Sequence, residues 1–344
     1  MIQAGIIGHF AFGKESCSGQ VIKTRIVAQE LQRELTEDQV ACYDTHGGWR
    51  FLLRLPVVAW RAVRGSRNVI MMPAYSGIHF ITPAISLFNL LLHRRLHYIV
   101  IGGWLPGYMK RFPLLRAMLK RFSNIYVETT AMKEALQRCG MNNVVVMPNF
   151  KPLSIVSEEQ LPPMPQPPYR LCTFSRVMKE KGIEDAVNAV KTCNERHGAT
   201  VFTLDIYGQV QQPEWFERLM NGQPDSIRYC GTVPFDKTTD TLKDYFALLF
   251  PTYYKGEAYA GTLIDAMASA LPVIASDWHA NPEIVDDRHT GLLFPTHSVE
   301  KLTEILNEIA ANPERLYDMR SNCIRKARLF QPQEVIQTLL SNLD

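Results

Sequence analysis

Two carboxylates, Glu257 and Asp265, stand with seven residues between them in the stretch PTYYKGEAYAGTLIDAMASALPVIAS, Pro251 to Ser276. The pattern there is strand, loop, helix, turn, strand, which puts Glu257 in the loop and Asp265 about one turn into the helix. The amides of Gly261 and Thr262 would open that helix, where unpaired N–H groups and the helix dipole favour an anion such as a phosphate. Thr262 and Asp265 also have the spacing of a capping box, which needs no ligand. Upstream, the run from Phe174 to Gly182, FSRVMKEKG, puts cations in a second loop between strand and helix. An arginine offers a planar fork to phosphate oxygens and a lysine a mobile point charge, so Arg176 and Lys181 together suit a diphosphate. The alternative for this loop is a solvated basic turn.

Near the N-terminus, Gly19 and Gln20 begin another helix that a ligand could approach closely through the glycine. Without a ligand, Ser18 is simply a helix cap and Lys23 lies in solvent. Gly8, Gly13 and Lys14 have the spacing of a nucleotide-binding P-loop, but Glu15 stands where that loop needs Ser or Thr for magnesium. There is no GxGxxG signature. The seven cysteines (Cys17, Cys42, Cys139, Cys172, Cys193, Cys230 and Cys323) are odd in number and never closer than 21 residues, so they have no metal-ligand spacing and are expected as reduced thiols.

The elements that must position these residues alternate strand and helix, which implies α/β layers with parallel sheets. In the first half, strands are expected at Gly5 to Gly8, Val69 to Met72, Tyr98 to Ile101, Ile125 to Val127 and Val144 to Met147, with helices at Val21 to Leu35 and Ala131 to Arg138. A proline-dense stretch, LPPMPQPP from Leu161 to Pro168, marks a domain boundary. Strands then resume at Arg170 to Phe174, Thr203 to Tyr207, Ile227 to Tyr229, Ala247 to Phe250 and Pro272 to Ser276. At 344 residues the chain has room for two such doubly wound domains, which would bind a ligand at the carboxyl ends of their strands, on either side of an interdomain cleft. The uncharged run from Asn68 to Leu92 is long enough to cross a bilayer, but Pro73, Ser76, Gly77, His79 and Pro83 interrupt it, so a strand, a loop and a buried helix are expected.

The net charge of +3 hides an asymmetry: Thr45 to Val127 contains twelve basic residues and no Asp or Glu. Nucleic acid, a phosphate-bearing substrate and the anionic headgroups of an inner leaflet are the candidate partners. The stretch Tyr108 to Phe122, YMKRFPLLRAMLKRF, alternates apolar and basic residues as helices lying in a membrane interface do, or as a basic face over a core-packed helix does. No nucleic-acid reader motif is present, and the rest of the chain is net acidic, so nucleic acid is not expected as a partner. The N-terminal MIQAGIIGHF lacks the features of a secretory signal, and a cytoplasmic protein is expected, at most peripheral on the inner face of the membrane.

With these residues in view, the chain resembles glycosyltransferase family 4, the retaining sugar-nucleotide transferases of GT-B fold. Glu257 and Asp265 match its EX7E region, SRVMKEKG resembles its GRLxxxKG loop, VVMPNF its interdomain VIPN, and LPVIASDWHANPEIVDDRHTGLLF its PVIAS, PEIV and GLL series. GHFAFGK and GQVIKT extend the likeness to a subgroup acting in bacterial surface polysaccharide assembly. The resemblance implies an acceptor-side Rossmann-like domain at residues 1–150, a linker at 151–168 and a donor domain at 169–329, with the last helix, about 330–344, packed back on the first domain.

It implies that Arg176 and Lys181 hold the donor diphosphate with the amides of Gly261 and Thr262, that Asp265 binds ribose hydroxyls, and that Glu257 contacts the transferred sugar. Gly231 to Val233 would meet the nucleobase, and Gly19 and Gln20 would face the donor or acceptor from the other domain. The implied donor is a nucleotide-sugar, with a UDP-sugar favoured, used without metal or other cofactor. The basic, apolar first half suggests an acceptor at the membrane, so a glycan or a polyprenyl-diphosphate-linked glycan is expected as acceptor, with an anionic membrane surface as a candidate partner. Departures are Asp265 in place of Glu, Ala258 and Ala260 in place of glycines, and no counterpart of the family's N-domain histidine; His9, His46 and His79 are the candidates for it. A GT-B sugar-nucleotide epimerase and a non-catalytic subunit binding nucleotide-sugar or glycan are the rival readings.

Overall fold

The computed structural model describes residues 1–13, 19–257 and 259–343, without the Phe235 side chain. Lys14, Glu15 and Ser18 of the first loop, Cys17, and Ala258 lie outside the described residues. The chain divides into two compact units, residues 1–152 with 331–344, and residues 153–330.

Unit 1 holds strands β1 (Ile2–Gly8), β2 (Val40–Asp44), β3 (Ser66–Met72), β4 (Arg95–Ile99), β5 (Asn124–Val127) and β6 (Val144–Val146). Helices α1 (Gly19–Leu35), α2 (Trp49–Gly65), α3 (Ile78–Leu92), α4 (Leu105–Arg111), α5 (Pro113–Leu119) and α6 (Thr130–Gln137) connect them. Unit 2 holds β7 (Tyr169–Phe174), β8 (Phe202–Tyr207), β9 (Ile227–Gly231), β10 (Ala247–Phe250), β11 (Val273–Ser276) and β12 (Gly291–Phe294). Its helices are α7 (Ile183–His197), α8 (Pro213–Met220), α9 (Thr238–Leu242), α10 (Gly261–Ala268), α11 (Asn281–Ile284), α12 (Val299–Ala311), α13 (Glu314–Tyr317) and α14 (Arg320–Arg328). The chain then returns to unit 1 with α15 (Pro332–Val335) and α16 (Gln337–Leu340).

Among the described residues both sheets have six strands and are parallel throughout, in the orders β2-β1-β3-β4-β5-β6 and β12-β11-β10-β7-β8-β9. Parallel strands covered on both faces must be apolar on both sides, which is why the central strands are continuous runs such as GIIG and ALLF. Each sheet reverses its winding once, between β1 and β3 in unit 1 and between β7 and β10 in unit 2, and the crevice at the carboxyl edge of such a reversal is where open α/β sheets take ligands. In unit 1, α2 to α6 pack on one face and α1 with α15 and α16 on the other. In unit 2 the buried Asp205 of β8 accepts from Arg170, Arg228 and the Tyr245 hydroxyl at 2.6–3.2 Å. Burial raises its pKa, and those donors more than offset this and hold it below the ordinary value.

Four expectations change. The edge strands β2 and β12 were not foreseen; both are short, and β2 is mostly half-buried, so it lacks the long apolar run of a central strand. The proline-dense stretch is not a free linker, because Val156 is buried and donates its amide to Ala268, and the Pro162 carbonyl accepts from the Tyr317 hydroxyl at 2.6 Å. Of the two readings of Tyr108 to Phe122 the core-packed one holds, and in two helices instead of one: Pro113 starts a second helix after the non-helical Phe112, and Tyr108, Met109, Leu115, Leu119 and Phe122 are buried in the core. Finally, α3 is buried on one side only, with Phe80, Leu87, Leu90 and Leu91 exposed.

Candidate functional site

The winding reversal of unit 2 brings the loop after β7 against the loop after β10. Tyr253 donates its amide to the Glu180 carbonyl at 2.8 Å, the Ser276 hydroxyl donates to the Thr252 carbonyl, and the Trp278 indole donates to the Tyr254 carbonyl at 2.9 Å. Gly182 has φ +69°, and a Cβ there would lie 2.1 Å from the Pro251 carbonyl oxygen, so only glycine lets the two loops meet. Gly208, in the loop after β8, is needed for the same reason, since a Cβ there would overlap the Ser175 carbonyl at 1.7 Å.

These contacts place Lys181 and Glu257, 76 residues apart in sequence, in a close ion pair whose side chains are 7% and 11% exposed. The Lys181 ammonium donates to Glu257 Oε2, which also accepts from the Thr252 hydroxyl at 3.0 Å. The same ammonium lies over the rings of Phe250 and Tyr254, 5.4 and 5.3 Å from their centroids. A charge this buried persists only when paired, and here the pairing is supplied by a residue from the neighbouring loop. The exposed Arg176 guanidinium stacks on the Tyr254 ring at 5.0 Å, so both candidate diphosphate-binding cations share one aromatic platform.

The next helix, α10, starts at Gly261 after an Ala260 N-cap with no side-chain cap bond. The capping-box reading of Thr262 and Asp265 is therefore overturned, because Thr262 already lies inside the first turn. Gly261, Thr262 and Asp265 are half-buried, and the order strand, loop, helix sets the amide end of α10 at the carboxyl edge of the sheet. Gly231 ends β9 with φ +78°, its carbonyl accepts the Gly208 amide at 2.8 Å, and Val233 follows half-buried. Tyr254 and Thr252 were not singled out from the sequence, since nothing in their spacing marks them.

In unit 1 the winding reversal opens a cavity of about 550 Å³, whose lining includes His9, Gln20, His46, Phe51, Leu52 and Phe80. Gln20 donates to the Met72 carbonyl at 3.1 Å, and Gly19 is exposed at the start of α1. His9 Nε2 and His46 Nδ1 are 3.1 Å apart. The loop after β1 is held by Asp44, whose carboxylate accepts the amides of Phe10, Ala11, Phe12 and His46 at 2.9–3.3 Å. Burial pushes the Asp44 pKa up, but these four amides outweigh it and leave it lowered. His79 bonds the Tyr108 hydroxyl and packs on Phe112 instead of lining the cavity. Lys23 is not in solvent as expected: it is buried, 2.8 Å from Glu128 at the end of β5. Glu128, the first acidic residue after the basic segment, was the available clue to that pair.

Residues 168–312, within unit 2, match the family described as "Glycosyl transferases group 1". The GtfA subunit of the UDP-N-acetylglucosamine–peptide N-acetylglucosaminyltransferase of Streptococcus gordonii is 29% identical over 177 residues, 50% of this chain and 34% of that protein. The amylovoran biosynthesis glycosyltransferase AmsK of Erwinia amylovora is 24% identical over 143 residues, 40% of this chain and 35% of AmsK. The matches thus span about a third of either relative. Among solved structures, Anabaena HepE in complex with UDP superposes with a TM-score of 0.74 at 13% identity, covering 99% of both chains. The fold is GT-B, with one Rossmann-like sheet in each unit.

Proposed function

We propose that this chain is a retaining glycosyltransferase that moves a sugar from a nucleotide-sugar, with a UDP-sugar favoured, to a glycan acceptor carried on a lipid diphosphate in polysaccharide biosynthesis. The observation that carries the reading is the Lys181–Glu257 pair at the winding reversal of unit 2, flanked by Arg176 and the amide end of α10. It lies within the stretch that matches the glycosyl transferase family. UDP accompanies HepE, which has the same fold, and AmsK is named for a polysaccharide pathway.

In this reading the acceptor hydroxyl oxygen forms a bond to the anomeric carbon as the bond from that carbon to the diphosphate oxygen breaks. The electron pair leaves with the diphosphate, and the hydroxyl proton passes to the departing phosphate oxygen on the same face. The leaving group gains negative charge, so fixed cations and helix amides already aimed at it lower the barrier, each such donor typically contributing about 10²- to 10³-fold. Lys181 and Arg176 supply those cations without a metal, so Lys181 exchanges some of its bonding to Glu257 for the phosphate when the donor arrives. Glu257, released, turns to the sugar hydroxyls. Asp265 takes the ribose, and Gly231 to Val233 border the base. The cavity of unit 1, with Gln20 and the His9–His46 pair, takes the acceptor.

The test is a panel of UDP-, GDP- and ADP-sugars, screened by thermal stabilisation and then offered with a lipid-diphosphate glycan in EDTA. Transfer with the anomeric configuration kept, read by proton NMR, is the expected result. An inverted product refutes retention, and activity abolished by the chelator refutes metal independence. Epimerised donor with no acceptor consumed, or donor binding with no turnover, refutes the whole.

A further inference from the structure

We propose that the outer surface of α2, α3 and α5 is a docking face for an anionic lipid bilayer. The fifteen residues of α3 contain no charge, and the helix fully buries Ile78, Ile81, Thr82 and Ile85, with Ala84, Phe88 and Leu92 packed partly buried against the same core. Its opposite side carries Phe80, Leu87, Leu90 and Leu91, of which Leu87 is 63% and Leu91 74% exposed. On a 3.6-residue helix Phe80, Leu87 and Leu91 fall on one line and Leu90 beside it. Helix α3 packs against both α2 and α5, with Trp60 of α2 edge-on to Phe88 at 5.5 Å. Those neighbours continue the apolar surface with Trp49, Leu52, Leu53 and Val57 on α2 and with Leu114, 71% exposed, on α5. Solvent-exposed apolar groups scattered singly need no explanation, but a contiguous surface over three helices marks an interaction site.

Charge selects the occupant. Arg50, Arg54, Arg61 and Arg64 of α2 are exposed alongside its apolar stripe, and Arg95, Lys120 and Arg121 are exposed after α3 and α5. No acidic residue occurs between Thr45 and Val127 to neutralise them. A second copy of the chain would bring this cationic rim against itself. An anionic bilayer presents the complementary order, headgroup charge outside and hydrocarbon inside, and long arginine stems can lie along the apolar surface while their heads stay at the headgroups. In place of the interfacial alternative at Tyr108 to Phe122 stands a surface assembled from three helices, none of which, among the described residues, is long and apolar enough to cross a membrane.

Leu52 and Phe80 belong both to this face and to the lining of the unit 1 cavity. Docking therefore sets the cavity rim at headgroup level, where the polar end of an amphiphile can enter while its chain remains in the bilayer. The docking face does not depend on the transfer reading; only the assignment of that amphiphile as the acceptor rests on it.

The experiment is co-sedimentation of the full chain with vesicles of phosphatidylcholine alone and of phosphatidylcholine mixed with phosphatidylglycerol, at low and at molar salt. The wild type is expected to sediment with the anionic vesicles at low salt and to be released by salt. Leu87→Glu/Leu91→Glu should weaken binding at least tenfold. Arg54→Gln/Arg61→Gln/Arg64→Gln should weaken it about a hundredfold, at about fivefold per arginine. All these positions are exposed, and unchanged melting of each variant confirms folding. A wild type that stays in the supernatant with anionic vesicles, or variants that bind as tightly as it does, overturns the proposal. A dimer in light scattering that Leu87→Glu/Leu91→Glu dissociates also overturns it, by assigning the face to a second copy. Stabilisation by UDP, measured on the same preparations, reports the donor site separately, so failure of docking and failure of the transfer reading are distinguished.

Discussion

Breaking the Lys181–Glu257 pair should destabilise unit 2 before any ligand is considered. In Lys181→Ala the Glu257 carboxylate keeps only the Thr252 hydroxyl of its two described donors, and in Glu257→Ala the Lys181 ammonium is left over two aromatic rings. Removing one partner of a buried pair costs about 3–5 kcal/mol, and the residual exposure of 7% and 11% argues for the lower end. For a unit of this size that is a fall in melting temperature of about 6–12 °C. The double variant Lys181→Ala/Glu257→Ala leaves no orphaned charge and should lose less than the sum of the singles, with a coupling of about 2 kcal/mol. Glu257→Gln adds the functional arm: it preserves shape and removes the anion that competes with phosphate, so UDP affinity should hold or rise while turnover falls about 10²- to 10³-fold. Calorimetric melting and UDP titration read both arms. Single losses that add fully in the double variant, or a Glu257→Gln protein that binds UDP as poorly as Lys181→Ala, would refute the reasoning.

His97 is buried between Asn68 and Tyr126, and burial, then the Arg95 charge, lower its pKa from 6.5 to about 4. The folded state therefore holds it neutral, so its contribution is complete above pH 6.5 and is lost as the pH falls towards 4, by up to about 3 kcal/mol; melting of the wild type against His97→Gln across that window checks it. Deleting residues 331–344 uncovers the partners of Val335, Ile336, Leu339 and Leu343 and removes the Leu343 carbonyl that accepts from Asn68 at 2.8 Å. At about 1.5–3 kcal/mol per buried side chain the four come to about 6–12 kcal/mol, comparable with the whole margin of a typical domain, and limited proteolysis should find unit 1 cleaved far faster than in the full chain. Gly182→Ala meets both a positive φ and the Pro251 carbonyl, so it should cost about 3 kcal/mol or more and weaken UDP binding by parting the two loops, read by melting and titration.

The central strands were legible because a strand buried on both faces leaves an unbroken apolar run, and the winding that follows places the ends of β7 and β10 together. The loops bearing Arg176, Lys181 and Glu257 could be found from charge and glycine content, but their pairing could not, because a contact over 76 residues leaves no local trace. Lys23 and Glu128, 105 residues apart, hid for the same reason. Periodicity left Tyr108 to Phe122 open between an interfacial and a core-packed helix; the core-packed reading holds, and Pro113 was the signal that one helix ends there and another begins. It was silent at α3, since a helix apolar all round does not tell which side meets the core; the neighbours α2 and α5 decide that.

In the proposed function Arg176 and Lys181 grip a nucleoside diphosphate at the winding reversal of unit 2. Isothermal titration of the wild type, Arg176→Ala and Lys181→Ala with UDP, GDP and ADP tests it most directly. At least one of the three is expected to bind the wild type, and each variant should bind that ligand at least about tenfold more weakly, the loss of a charge-assisted phosphate contact. A wild type that binds none of them, or variants that bind with undiminished affinity, would contradict it.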